Sequence, residues 1–298
     1  MAAARKKIWI IVALCLIGAG IALSAAGYFL SGKDLMALNS REIIRSVCDI
    51  EESFSRVSVG APSANVSILP SDDGKCRVET SSFGETECRS VASGGTLKVI
   101  MADWHGGAIL FGSPKVTVYL PQKQYESLEV RTESGDIAVG EGVSAVSATL
   151  RSSSGRISCG AEVTGALEAK SASGGVSVSG VGDAEVTLDS GSGRLVFADS
   201  TPSSAQISSR SGKIELKNVV AAGKLTAESS SGAVRLEACD AGSIYVETAS
   251  GSVYGTLLSA KSFSASSASG RVNVPESEGG ECRARTASGS ITFIIIAD

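Results

Sequence analysis

The sequence predicts an all-β protein: a parallel two-ladder β-solenoid with 19–20-residue rungs, preceded by an N-terminal transmembrane helix. Three observations carry this. A Ser-Gly marker recurs at a near-constant period from about residue 126 onward, apolar residues alternate on both sides of each marker, and the chain opens with a long uncharged apolar run.

The opening run comes first in the chain. Ile8 to Leu30 contains no charge, and at about 1.5 Å per residue one helix of this length crosses a hydrocarbon layer of roughly 30 Å. Arg5, Lys6 and Lys7 precede it, so the positive-inside rule makes residues 1–7 a cytoplasmic basic tail and sends residues 31–298 across the membrane. Ala22-Leu23-Ser24 resembles a signal-peptide cleavage site, but the apolar run continues through Tyr28, Phe29 and Leu30, which favours retention as an anchor. Either version exports the remainder. The expected location is the cytoplasmic membrane, single-pass, with the C-terminal domain extracellular.

Residues 31–50 follow as a juxtamembrane segment. Leu35, Met36, Leu38, Ile43, Ile44 and Val47 alternate with polar residues in a pattern that suits a short amphipathic helix or stalk. Residues 51–125 then read as a β-rich part leading into the solenoid. Strand-like alternation occurs at 56–59, 64–69, 76–80, 96–100 and 115–120, with Pro121 closing the last of these. Within this part, Asp103, Trp104 and the sole histidine, His105, make the most singular surface loop.

Residues 126–298 carry the regular repeat. The marker glycines are Gly135, Gly155, Gly174, Gly193, Gly212, Gly232, Gly251, Gly270 and Gly289, which defines a repeat architecture. Apolar residues stand seven and five positions before each glycine, as in Leu128/Val130, Val186/Leu188 and Phe263/Ala265. Others stand two and four positions after it, as in Ile137/Val139, Leu195/Phe197 and Ile291/Phe293. Two period-2 patterns around a turn mean two short half-buried strands per repeat, and the same spacing excludes a helix.

The glycine is expected to allow both a positive φ and close stacking of rungs. Three positions before it stands a serine or threonine (Thr132, Ser152, Ser171, Ser190, Ser209, Ser229, Thr248, Ser267, Thr286). A hydroxyl column repeated in every rung is scaffold chemistry, bonded to its neighbours or to backbone, and not a set of nucleophiles. Outward positions such as Ser147, Ser177 and Ser266, mixed with Lys170, Glu185, Lys213, Glu215, Lys217 and Glu228, form a flat polar surface.

The last strand, Ile291 to Ile296, is strongly apolar, and no polar cap follows it. It is expected either to pack across the solenoid end or to serve as an edge for a partner, through Phe293, Ile294, Ile295 and Ile296.

Several function classes are excluded by what is present. The formal net charge of -4 becomes -7 once the three basic residues of the tail are set aside, and no basic cluster remains for a nucleic acid backbone. One histidine makes a zinc site improbable, and no P-loop, nucleophile elbow or dinucleotide fingerprint occurs, so no catalytic, cofactor-binding or metal-binding residue is assigned and no cofactor is expected. Asp183, Glu185 and Asp189 are near one another in sequence, but regular surface charge accounts for them. Of seven cysteines, Cys76 and Cys88 are the first candidates for a disulfide, whereas Cys159 and Cys282 read as small core residues.

The segments Phe54-Ser55-Arg56-Val57-Ser58-Val59, Ala64-Asn65-Val66-Ser67-Ile68-Leu69-Pro70 and Leu128 through Val139, with the later Ser-Gly-x-Val/Ile-x-Val motifs, resemble the bacterial DUF4097 β-strand repeat proteins, a family labelled as adhesins. The resemblance covers about residues 50 to 296. It implies a β-solenoid outside the cytoplasmic membrane, with some relatives linked to cell-envelope stress systems, and it carries over no catalytic residue. The expected function is therefore a non-catalytic, membrane-anchored extracytoplasmic scaffold or accessory protein. Its expected partner is a membrane or cell-surface protein, with homo-oligomers also open. The alternatives are a surface adhesin for peptidoglycan, glycan or matrix, and a glycan-acting enzyme, which would need a carboxylate pair projecting from adjacent rungs.

Overall fold

The computed structural model describes residues 2–30, 43–83, 88–102 and 112–296, with side chains from residue 13 onward. It divides into two compact units, one holding the helix and one the β-structure.

Helix α1 spans Ala2–Leu30. Its stretch Ala13–Leu30 has a mean hydropathy of 2.0, and none of that stretch is buried. An exposed helix that is apolar all round has no face suited to water, and its length suffices to cross a membrane. The Ser24 hydroxyl is satisfied within the helix, its Oγ donating to Gly20 O at 2.8 Å.

The second unit is a solenoid. Its first strands are β1 (Ile43–Ile50), β2 (Arg56–Gly60), β3 (Asn65–Pro70), β4 (Cys76–Phe83), β5 (Cys88–Ser93), β6 (Thr96–Met101) and β7 (Lys115–Leu120). The middle holds β8 (Gln124–Arg131), β9 (Ile137–Val139), β10 (Ser144–Ser152), β11 (Ile157–Cys159), β12 (Glu162–Ser171), β13 (Val176–Ser179), β14 (Glu185–Ser190), β15 (Leu195–Ser200), β16 (Ser204–Ser209), β17 (Ile214–Ser229), β18 (Val234–Thr248) and β19 (Val253–Leu257). The last four are β20 (Lys261–Ser267), β21 (Val272–Asn273), β22 (Gly280–Thr286) and β23 (Ile291–Ile295).

In the middle, strands before each Ser-Gly turn form one parallel ladder and strands after it form the other. Equivalent residues stack in register, as in Leu150, Ala169, Leu188 and Ile207 of the first ladder and Ile157, Val176, Leu195 and Ile214 of the second. All eight are buried, so the period-2 pattern puts one aliphatic column from each ladder into a thin shared core. Strands β17 and β18 run through the second corner and serve both ladders.

The marker glycines are required for close approach rather than for a left-handed backbone. A Cβ on Gly212 would lie 1.8 Å from the Gly193 carbonyl oxygen, and one on Gly174 would lie 2.0 Å from that of Gly155. No marker glycine has a positive φ, so only half of the sequence expectation for them holds. Positive φ falls instead at the opposite corner, on Asp199, Asn218 and Ala238 of three successive rungs.

At both ends the stacking order departs from the chain order. The first rung, β2 with β3, lies between the β6–β7 rung and the β8–β9 rung. At the other end β22 lies between β18 and β20, and β23 pairs with β19 on one side and β21 on the other. This corrects the expectation for the terminal strand: Ile291 and Phe293 are buried, and the last strand in sequence is not the last in the stack. The physical reason lies in composition. Inserting β23 buries Phe293, whose ring occupies the space a Cβ on Gly255 would take, and leaves the serine-rich β20 outermost.

The expectation of a helix or stalk over 31–50 is replaced over its second part by strand β1; residues 31–42 lie outside the described residues. Strand β1 is tied to β4 by Arg77 Nε donating to Asp49 Oδ1 at 3.1 Å and by the hydroxyls of Ser46 and Thr80 at 3.2 Å. Strands β4 and β5 pair antiparallel with β7 and β6, closing this end of both ladders.

Candidate binding surface

The repeated hydroxyls occupy the Ser-Gly corner. Ser171 Oγ accepts the Gly174 N–H at 2.9 Å and donates to the Gly155 carbonyl of the rung below at 3.1 Å. The same pair of hydrogen bonds recurs at Ser152, Ser190 and Thr248. Each buried hydroxyl thus satisfies a turn N–H and links two rungs, which leaves it committed to the scaffold. The column also traces the altered order, since Thr286 donates to Gly251 and Ser267 to Gly289.

One position before this column, side chains point outward along the rim of the first ladder. In stacking order they are Arg131, Arg151, Lys170, Asp189, Ser208, Glu228, Glu247, Arg285 and Ser266. Basic residues thus hold the first three positions and acidic ones three of the next four, before Arg285 on the next-to-last strand. The basic stretch is partly neutralised by Glu168, which lies 2.6 Å from Lys170 and 2.8 Å from Arg151. Those two cations, Lys170 first, hold the Glu168 carboxyl below the usual carboxylate range.

Beside the acidic stretch runs an open groove of about 1020 Å³, walled by Asp189, Arg210, Glu228, Glu247, Ser266 and Arg285. It follows the Ser-Gly corner over five rungs and reaches Asp189 on a sixth, a length of roughly 24 Å at a strand spacing of about 4.8 Å. The corner's small residues keep it shallow. Such a surface, lined by three carboxylates and two guanidinium groups, suits an extended polar ligand more than a compact molecule needing an enclosed pocket.

The outward residues expected from sequence are outward in the structure, but they do not converge. Lys213 and Arg194 both pair with Glu215 on the outer face of the second ladder, at 2.5 Å for Lys213. Burial raises the Glu215 carboxyl, yet the hydrogen bonds from Lys213 and Arg194 outweigh it and its pKa is lowered. Glu185 and Asp189 stand at two ends of β14, about 13 Å apart at roughly 3.3 Å per residue, which is too far for the paired carboxylates of glycoside hydrolysis. Arg210, Glu247 and Arg285 were missed by the sequence reading. Counting four or two positions back from each marker glycine would have found them.

The Asp103, Trp104 and His105 loop lies outside the described residues. Cys76 and Cys88 are free thiols on strands of different ladders, so the expected disulfide between them is not formed. Burial raises Cys76 to about 11 and Cys282 to about 12, so both are protonated core residues at neutral pH. Among the described residues no group of three His, Cys, Asp or Glu side chains is arranged to hold a metal ion.

A two-ladder solenoid with this turn chemistry matches the Toastrack DUF4097 family model over residues 54–244 and 224–294. The chain belongs to the DUF4097 family. Solved structures resemble this DUF4097 protein at low identity. A "putative adhesin" from Bacteroides fragilis is 15% identical with a TM-score of 0.46, covering 86% of this chain and 98% of its own. A "putative adhesin" from Parabacteroides distasonis is 15% identical with a TM-score of 0.45, covering 87% and 95%. A "putative lipid binding protein" from the same organism is 16% identical with a TM-score of 0.46, covering 84% and 96%. No curated protein matches the chain in sequence.

Proposed function

We propose that this DUF4097 protein is a non-catalytic scaffold, anchored by α1, whose solenoid stands outside the cytoplasmic membrane and binds a surface molecule along the charged rim of its first ladder. The observation that carries this reading is the division of roles along each rung. The buried hydroxyls are committed to the turn, while the acidic side chains Asp189, Glu228 and Glu247 stand on the outward rim beside an open groove. The apolar, exposed stretch Ala13–Leu30 of α1 supports the anchor. The preferred partner is a membrane or cell-surface protein that presents basic residues to Asp189, Glu228 and Glu247, in keeping with the accessory role that the family resemblance implies.

The test is crosslinking of the full-length protein in cells, followed by identification of what stays attached, for the wild type and a Glu228→Lys/Glu247→Lys variant. Reproducible capture of one membrane or surface protein, reduced at least tenfold by the double charge reversal, is the expected result. Retention on isolated cell wall with no protein captured would replace this reading with glycan adhesion. Capture that ignores the charge reversal would remove the groove from it.

A further inference from the structure

Strand β20 is the outermost strand of the first ladder at the C-terminal end. All seven of its residues pair with β22, and among the described residues no strand borders its other edge. The loop after β21 touches only its beginning, where Ser277 Oγ donates to Lys261 O at 2.7 Å and Ser262 Oγ donates to Gly279 O at 3.1 Å.

Exposed edges are normally blunted by charge, proline, shortness or a covering element. Other edges of this solenoid use these devices. The start of the ladders ends in antiparallel strands that carry charge, Arg45 and Asp49 on β1 and Arg89 on β5, and the second ladder ends in β21, two residues long and followed within two positions by Pro275. Strand β20 uses none of them. Its outward residues are Ser262, Ser264 and Ser266, short and neutral. Its one charge, Lys261, is buried and spent, lying 2.6 Å from Asp240 and donating to Ala241 O at 2.7 Å. The core also stays open here: Phe263, Ala265 and Val274 are half-buried and Val272 is 41% exposed.

We propose that the free edge of β20 is the docking surface for a second copy of this chain, paired antiparallel about a two-fold axis through Ser264. A two-fold contact requires a strand that complements itself, and this one does. Ser264 is the midpoint, so this register pairs all seven residues. It sets Phe263 against Ala265 of the second copy and Ala265 against its Phe263, large against small, and continues the core of one solenoid into the next. On the outer face it sets Ser262 against Ser266. The neighbouring strand β22 then adds complementary charge. Glu281 stands beside Ser262, Arg283 beside Ser264 and Arg285 beside Ser266. Glu281 lies 3.3 Å from Arg283 of its own copy and also shares a column with Arg285 of the other copy, across two serines too short to intervene, which offsets the like charge of the two Arg283 at the axis. The separation is about three strand spacings, roughly 14 Å, which long side chains leaning over serines shorten. This association is independent of whether the rim groove binds a surface molecule.

The experiment uses the full chain in detergent micelles, with mass measured by light scattering and sedimentation. Wild-type protein should be dimeric. Ser264→Lys and Ser264→Glu should each be monomeric, because like charges then face one another across the axis, and an equimolar mixture of the two should recover the dimer. Ser264 is exposed, so both variants should keep the wild-type β-sheet circular dichroism. A Ser264→Cys variant should form an intermolecular disulfide on mild oxidation, with the residue 264 peptides of two copies joined. A monomeric wild type would overturn the proposal. So would a dimer that Ser264→Lys leaves unchanged, which would assign association to α1, or crosslinking of the Ser264→Cys variant in cells only to a different protein.

Discussion

From β10 to β19 each rung lies on the rung the chain has just completed, whereas at the start the chain lays β6–β7 outside β2–β3 before continuing from its other side, and at the C-terminal end it skips a level and returns to fill it. The repeat chemistry is the same in both regions. Ser171 bonds Gly174 and Gly155 in the middle, and Ser267 bonds Gly270 and Gly289 at the end by the same geometry. The difference teaches that the turn motif specifies how a rung sits on another rung but not which rung that is. The choice is made by burial. A middle rung has identical neighbours, while an end rung exposes one side of its core, and inserting β23 moves the most apolar strand away from that exposed side.

The two ends also differ from each other. The first is closed by β1, β4 and β5, and the second ends on β20 and the short β21. Local stability should therefore fall toward the C-terminal end, as expected of repeat proteins whose rungs contact only their neighbours.

The largest effect should come from adding a methyl group to a middle marker glycine. Gly212→Ala sets a Cβ 1.8 Å from a backbone oxygen held on both sides by further rungs. It should cost more than about 4 kcal/mol, the range reserved for severe steric conflict, read from denaturant unfolding of the full chain. Gly270→Ala meets a carbonyl oxygen at 1.9 Å but on the end rung, where release of β20 and β21 relieves the clash. Hydrogen exchange should rise over 261–273 while the middle rungs stay protected. Equal global losses from the two variants would break the comparison.

Next is the buried ion pair that holds β20. Lys261→Ala strands the Asp240 carboxylate, only 22% exposed, and should cost about 3 kcal/mol of docking of the last rung. Burial raises the Asp240 carboxyl, but hydrogen bonds from Lys261, Ser259 and the Ala241 N–H outweigh it, and its pKa is lowered. A lowered carboxylate stabilises the folded state above the unfolded pKa of about 4 and loses that contribution as pH falls through its own lower value. The stability gap between wild type and Asp240→Asn should accordingly be full at pH 6 and shrink below about pH 4. A gap independent of pH would remove the ionised pair as its cause.

A smaller loss is expected from the hydroxyl column. Ser171→Ala leaves the turn N–H of Gly174 without its acceptor and should cost about 1–3 kcal/mol, whereas Ser267→Ala, half-buried on the outer rung, should cost less because water can replace it. Thermal melts of the pair measure the difference. The smallest effect is a gain. Ala238 holds a φ of 50° at a corner where Asn218 and Asp199 occupy the equivalent positions and bond to each other at 2.8 Å. Ala238→Gly should relieve left-handed strain and raise stability by up to about 1 kcal/mol.

Much of this was legible before any coordinates. Period-2 residues such as Leu188 and Leu195 identified the two ladders because alternation is a property of single strands. The nine Ser-Gly markers identified the rungs because a turn is local, and the uncharged run from Ile8 to Leu30 identified α1 by length and composition alone. The rim groove was half legible: Lys170 and Glu228 were singled out as outward, but Arg210, Glu247 and Arg285 gain meaning only once five corners are stacked. The helix or stalk expected across 31–50 gives way to a strand over its second part because β1 finds a pairing partner in β4, a contact that an isolated amphipathic pattern does not contain.

What the sequence by itself determined, then, is the rung: its length, its two strands, its inward columns and its turn. Only the tertiary structure decided the order of the rungs. Each is nearly interchangeable in backbone register, so the placement of β2–β3 and β22–β23 one level inside the ends rests on long-range differences in buried surface. That same choice turned the apolar terminal strand into core and left the neutral, self-complementary β20 as the open edge.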